Sequence, residues 1–279
     1  IISICNEARF ASLPPTQIVP HLADENIYLA SESSFYRVLK ENNQHARRGR
    51  AQTKRKPAKP VEIRVNEPNR GYSWDITFLP TLVVGFYSKL YLVLDLFSRK
   101  IVGWEVHESE SSELAKELIY KIQLKEKVDC KKLVIHSDNG SPMRGQTLRS
   151  MYEALGITSS YSRPSVSNDN ALSESLFRTL KYCPRYPEKP FETIESARSW
   201  VYEFEQWYNY EHRHSALKFV TPNERHTLQD ATILAKRHKL YLKAQQQTPQ
   251  RWSQSTRNWQ LKNEVVLNPD KKEVTRDKN

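Results

Sequence analysis

Three acidic residues in this sequence could do chemistry together: Asp75, Asp138 and Glu174, with 62 residues between the first two and 35 between the last two. Asp75 stands in the strand-like run Ser73-Trp74-Asp75-Ile76-Thr77-Phe78, and Asp138 closes Leu133-Val134-Ile135-His136-Ser137-Asp138. Glu174 lies in the helix-like stretch from Asn168 to Lys181. There Asn168, Asp169 and Asn170 suit the cap of a first turn, and Leu172, Leu176 and Leu180 recur at helical spacing. Glu174, Arg178 and Lys181 share another face, which for this helix alone reads as a solvated salt-bridge face. Three carboxylates brought to one point repel unless a cation lies between them. Carboxylates are hard oxygen donors that suit Mg²⁺, with Mn²⁺ as a substitute. Two such ions can activate an attacking oxygen and stabilise a leaving one, which is what in-line displacement at a negatively charged phosphodiester requires.

The acids have company. Pro68-Asn69, Trp74 to Thr77, Tyr91-Leu92, Phe97 to Trp104, His136 to Gly140, Ser162-Arg163-Pro164, Asn209-Tyr210 and His214 to Leu217 follow in order over roughly residues 60–225. In this series the chain resembles the DDE transposases and retroviral-type integrases. The resemblance is specifically to the second-frame protein of bacterial insertion sequences that make their transposase by ribosomal frameshifting. It implies a polynucleotidyl transferase that releases a 3′-OH at the element's end by hydrolysis. That 3′-OH then attacks a second phosphodiester, with an end-joined circular intermediate before insertion. It further implies catalytic and metal-holding roles for Asp75, Asp138 and Glu174, with Asp75 bridging two Mg²⁺ ions. Lys181 matches a basic residue near the end DNA, and Arg178 either shares that part or pairs with Glu174. Arg163 is the expected phosphate contact of its loop. Double-stranded DNA (element ends and target), further copies of the chain and the upstream-frame protein are the implied partners, in a bacterial cytoplasm at the nucleoid. Two positions depart from the family pattern: Gly71-Tyr72 replaces an apolar-aromatic pair, and Leu228 stands where glycine is commoner. The competing function is a DNA-binding fragment that occupies element ends and regulates transposition without catalysis. The start at Ile1 rather than Met suits either a fragment or a downstream frame, while the intact triad argues against decay.

The composition agrees with a nucleic-acid partner. The 279 residues carry a net charge of +11, and the pI near 9.4 favours a polyanion. With 38% hydrophobic residues and a mean hydropathy of −0.72, no segment suits a bilayer span. Cys5, Cys130 and Cys183 are scattered without a CxxC spacing, which argues against a zinc site and for a reducing compartment.

The elements that must position the acids follow from periodicity. Residues 12–42 read as two helices around a turn, the first opened by Pro14-Pro15 and the second capped by Ser31. A helix-turn-helix would use Ser31–Lys40 for recognition, with Ser34 and Arg37 toward DNA. A helical hairpin that only packs on its neighbour is the equal alternative from pattern alone. Residues 46–60, with Arg47, Arg48 and Arg50, read as a linker able to track phosphates. From residue 72 the order is β, β, β, α, β, α, β, α, that of a ribonuclease H-like α/β fold: a mixed five-stranded sheet with flanking helices. In that fold the first and fourth of these strands are neighbours, so Asp75 and Asp138 lie side by side and a later helix leans Glu174 over them. An aromatic-rich helix at 193–210 has core spacing at Ala197, Val201, Phe204 and Tyr208. The expected organisation is a helix-turn-helix segment (1–45), linker (46–64), catalytic core (65–228) and basic extension (229–279) with a small β hairpin. Asp95, Asp169, His136, His212, His214 and Glu105 read as structural rather than reactive.

Overall fold

The computed structural model describes residues 1–44, 60–163, 167–261 and 263–269; Arg47, Arg48 and Arg50 fall outside them. The chain divides into two compact units, Ile1–Lys56 and Pro57–Asn279.

The first unit contains α1 (Ile2–Cys5), α2 (Pro15–Asp24) and α3 (Glu32–Glu41). Pro15 occupies the first turn of α2, where a missing N–H costs nothing. Ser31 caps α3 by accepting from the Ser34 N–H at 3.4 Å. Ile18, Leu22, Phe35 and Leu39 close on Cys5 and Phe10 to form the core of this unit. Arg37 is exposed, whereas the Ser34 hydroxyl lies 3.2 Å from that of Ser31, within the cap.

The second unit opens with β1 (Ile63–Val65), where the sequence reading placed the end of a linker. Then come β2 (Gly71–Pro80), β3 (Tyr87–Asp95), β4 (Ile101–His107), α4 (Ser112–Glu126), β5 (Val134–Ser137), α5 (Ser141–Arg144) and α6 (Gln146–Leu155). They are followed by β6 (Thr158–Tyr161), α7 (Ala171–Tyr182) and α8 (Ile194–Tyr210). The sheet order is β4-β3-β2-β5-β6. β2, β3 and β4 pair antiparallel, while β5 runs parallel to both β2 and β6. This is the expected ribonuclease H-like arrangement. Strand alternation sends Tyr72, Trp74, Tyr91 and Val93 to the face covered by α4 and α6. Leu79, Leu90, Leu92 and Leu94 go to the opposite face, where they meet Leu176 and Leu180 of α7 and Val201, Phe204 and Tyr208 of α8. Each of these large side chains contributes about 1.5–3 kcal/mol by leaving water. The two-sided core thus holds the middle strands rigid.

The region past residue 220 differs from the sequence reading. After α9 (Pro222–His226), Asp230–Gln247 forms the long helix α10, although its sequence has no clear apolar period. The reason is that α10 buries little: Leu234 is covered, but Leu240 and Leu242 are exposed. The expected hairpin is replaced by a long-range pairing in which β7 (Val265–Leu267) runs antiparallel to β1. Local pattern carries no signal for such a partner.

Candidate active site

Parallel pairing of β2 and β5 aligns Ser73 with His136 and Trp74 with Ser137. The next step along both strands brings Asp75 beside Asp138. By alternation Ser73 and Asp75 face α7, as do His136 and Asp138, while Trp74 and Ile135 enter the opposite core. α7 is tied to this face through side chains. The buried Ser73 hydroxyl donates to Asn170 Oδ1 at 2.6 Å and lies 2.7 Å from the Ser173 hydroxyl. Asn170 Nδ2 also reaches Asp75 Oδ2 at 3.4 Å. Glu174 follows Ser173 directly and is exposed at the start of the helix.

The carboxylates are oriented from the backbone. The Ile76 N–H donates to Asp75 Oδ1, and the Gly140 N–H donates to Asp138 Oδ1, each at 2.8 Å. Gly140 makes the second bond possible: a Cβ there would sit 3.0 Å from Asp138 Oδ1 and 2.9 Å from Met143 Sδ. Burial pushes the Asp75 carboxyl up to about 7, and the nearby charges of Asp138, Glu174 and Glu110 add to it against the Ile76 bond. A crowded, partly desolvated set of hard oxygen donors is what a divalent cation neutralises. Among the described residues no three such side chains close into a finished ion cage.

The other residues singled out in the sequence sort by their contacts. Lys181 and Arg178 are exposed on α7, and Arg178 makes no ion pair with Glu174. Arg163 is instead engaged with Asp169, donating through Nε and Nη2 at 2.9 and 3.0 Å. This guanidinium holds the Asp169 carboxyl below its usual range. Asp169 is thus the anchor of the Arg163 loop rather than a helix cap. Asn170 occupies the cap position of α7 but makes no cap bond, because its amide is turned to β2. His136 is a satisfied core histidine between the hydroxyls of Ser160 and Ser162, at 3.0 and 3.2 Å, and burial lowers its pKa. Asp95 accepts from Asn69 N and from both N and Oγ of Ser98, so it braces the β3–β4 turn. Burial also lowers His212, and burial with Arg99 and His212 nearby brings His214 down to about 4. His212 stacks on Tyr208 as an aromatic core group. Glu105 binds Lys121 and His107 at 2.7 and 2.8 Å.

Sequence reasoning missed Ser73, Ser173 and Glu110. A serine flanked by Tyr72 and Trp74 was the available signal for Ser73. Glu110 sits on an exposed loop and nothing in its neighbours marks it.

Comparison with known proteins agrees with this fold. Two integrase core domain profiles match residues 65–167 and 155–222. Residues 65–222 form an integrase core domain. The chain is 31% identical over 163 residues to the transposase for insertion sequence element IS904 of Lactococcus lactis subsp. lactis (strain IL1403), covering 58% of this chain and 63% of that one. It is 28% identical over 158 residues to transposase InsF for insertion sequence IS3A of Escherichia coli (strain K12), covering 56% and 54%. The match therefore spans less than two thirds of these curated relatives. A chain in the cryo-EM structure of the simian T-cell lymphotropic virus intasome in complex with PP2A regulatory subunit B56 gamma shares the fold. Its TM-score is 0.50 at 16% identity, over 80% of this chain and 73% of that one. The matched residues 65–222 include the three acids, on β2, after β5 and on α7. No helix among the described residues is long and apolar enough to cross a membrane.

Proposed function

We propose that this integrase core is the catalytic part of an insertion-sequence transposase, performing DNA 3′-end cleavage and strand transfer with Asp75, Asp138 and Glu174. The observation that supports it most is the register of β2 on β5, with α7 locked over the same face by Ser73, Asn170 and Ser173. In the first step a water oxygen bonds to phosphorus at the element's end, the P–O3′ bond breaks, and O3′ takes up a proton. In the second, the freed O3′ bonds to another phosphorus, and its former partner oxygen leaves. Asp75 and Asp138 supply adjacent carboxylates that would hold Mg²⁺, and Glu174 would supply the third. When bound, the ions neutralise charge at the attacking and leaving oxygens. Asn170 orients Asp75, the Gly140 N–H orients Asp138, and burial limits water around Asp75. Lys181 and Arg178, on the same helix as Glu174, suit phosphate contact beside the reacting strand. Ser34 and Arg37 of the first unit, and Arg47, Arg48 and Arg50, complete the proposed DNA contacts. Element ends and target duplex are the substrates, and several copies of the chain act on them together, with the upstream-frame protein as a further partner.

The test is cleavage and joining of a branched DNA substrate with Mg²⁺ or Mn²⁺, comparing the intact chain with Glu174→Gln. Metal-dependent products lost in the variant support the proposal. If the intact chain binds DNA salt-sensitively yet gives no products, autonomous catalysis is rejected.

A further inference from the structure

Residues 231–261 contain not one acidic residue, yet they carry Lys236, Arg237, Lys239, Lys243, Arg251 and Arg257. The acids at either border are already neutralised. Asp230 is buried against Arg225, and Glu264 accepts from Arg64 at 2.8 Å. Within this stretch the cations divide into two groups. Arg237 donates to the carbonyls of Lys218 and Phe219 at 3.0 and 3.1 Å and lies over the Trp259 ring. Arg257 lies 4.5 Å from the Phe219 ring centre and 5.0 Å from that of Trp259. These two guanidiniums hold the module together around a buried indole.

The lysines do not. Lys236, Lys239 and Lys243 are exposed and have no ion-pair partner among the described residues. Their spacing of three and four residues places them on one side of α10, opposite Leu234 and Tyr241, which pack into the local core with Trp259. At 1.5 Å per residue the three span about 10 Å. One strand of a DNA duplex presents a charge per ~3.4 Å of axis, so this stripe faces about three phosphates. A merely solvated helix face has no reason to exclude acids from its whole surroundings, because alternating signs support a helix better.

Resting on the transposase reading, we propose that α10 is a sequence-independent clamp on the duplex backbone, with Lys236, Lys239 and Lys243 as its phosphate contacts. It contributes affinity and residence on flanking or target DNA, and no choice of sequence.

The experiment measures duplex binding by fluorescence anisotropy from 50 to 300 mM salt, using the full chain and the variant Lys236→Gln/Lys239→Gln/Lys243→Gln. An element-end duplex and an unrelated duplex serve as probes. Each lost contact should flatten the slope of log affinity against log salt by about 0.9, or about 2.7 for three. Between 50 and 200 mM salt, this removes about a 40-fold share of the salt effect. The ratio between the two duplexes should stay unchanged, and the triple Lys→Arg variant should keep the original slope. An unaltered slope in a variant with unaltered Tm overturns the clamp. If Glu174→Gln still abolishes strand transfer, the transposase reading survives that loss. Failure of the intact chain to bind any duplex would overturn both.

Discussion

Replacing Asp75 with Asn should stabilise the protein in the absence of metal, by an amount that grows with pH. In an unfolded chain this carboxyl titrates near 3.8, whereas burial, then Asp138 and Glu174, push it up to about 7 in the fold. Between those values the folded protein holds a proton that the unfolded chain has released. Stability from this group is therefore whole below about pH 4, declines as pH rises, and is fully lost above about pH 7. At about 1.4 kcal/mol for each tenfold change in acidity, the ceiling is about 4 kcal/mol, and about 2–4 kcal/mol is the working range. An amide of the same shape keeps the Asn170 neighbourhood and removes the charge. At roughly 2–4 °C per kcal/mol for a chain of this size, the variant should melt about 4–16 °C above wild type at pH 8. The two should converge near pH 4. The assay is calorimetric or fluorimetric melting in EDTA from pH 4 to 8.5, read as the difference between the two proteins so that other titrating groups cancel. Added Mg²⁺ should raise the wild-type Tm and leave the variant behind. A difference that stays constant across pH would refute the crowded-carboxylate argument. So would an Asn variant that melts lower at pH 8.

Three further outcomes follow from the same geometry. Gly140→Ala places a methyl 3.0 Å from Asp138 Oδ1; strand transfer should fall at least about tenfold, with stability changed by no more than about 1–3 kcal/mol, as small overpacking gives. Parallel activity and melting measurements check the split. Ser73→Ala leaves the buried Asn170 Oδ1 without its donor; a loss of about 1–3 kcal/mol in denaturant melts and weaker Mg²⁺ binding by calorimetry are expected. Leu228 holds a left-handed φ of 59° with an exposed side chain, so Leu228→Gly should gain about 1 kcal/mol in urea unfolding, and a loss would contradict the strain argument.

Leu228 also shows how much could be read without coordinates. The family resemblance marked its place as one where glycine is commoner, and the backbone there is left-handed. Most of the strand and helix order of the core was equally legible, because β2 to β5 and α4, α6, α7 and α8 bury apolar faces; the four-residue α5 was not. α10 was not, since a helix that buries one full stripe residue leaves no period to detect. The Arg163–Asp169 pair was not legible either: the two are six positions apart, and charge alone says nothing about which side chain an arginine meets.

By itself the sequence determined the three acids, the apolar periods that build a two-faced sheet, and the basic balance that suits DNA. These are properties of residue type and short-range spacing, which the chain carries before it folds. Only the tertiary structure decided that Ser73 and Asn170 pin α7 above Asp75, and that burial lifts this carboxyl to about 7. It alone paired β7 with β1, across nearly the whole length of the second unit. It also set apart the arginines that hold the C-terminal module from the lysines that face solvent. Hydrogen bonds and desolvation depend on which distant groups meet, and that is fixed when the chain packs rather than by neighbours in sequence.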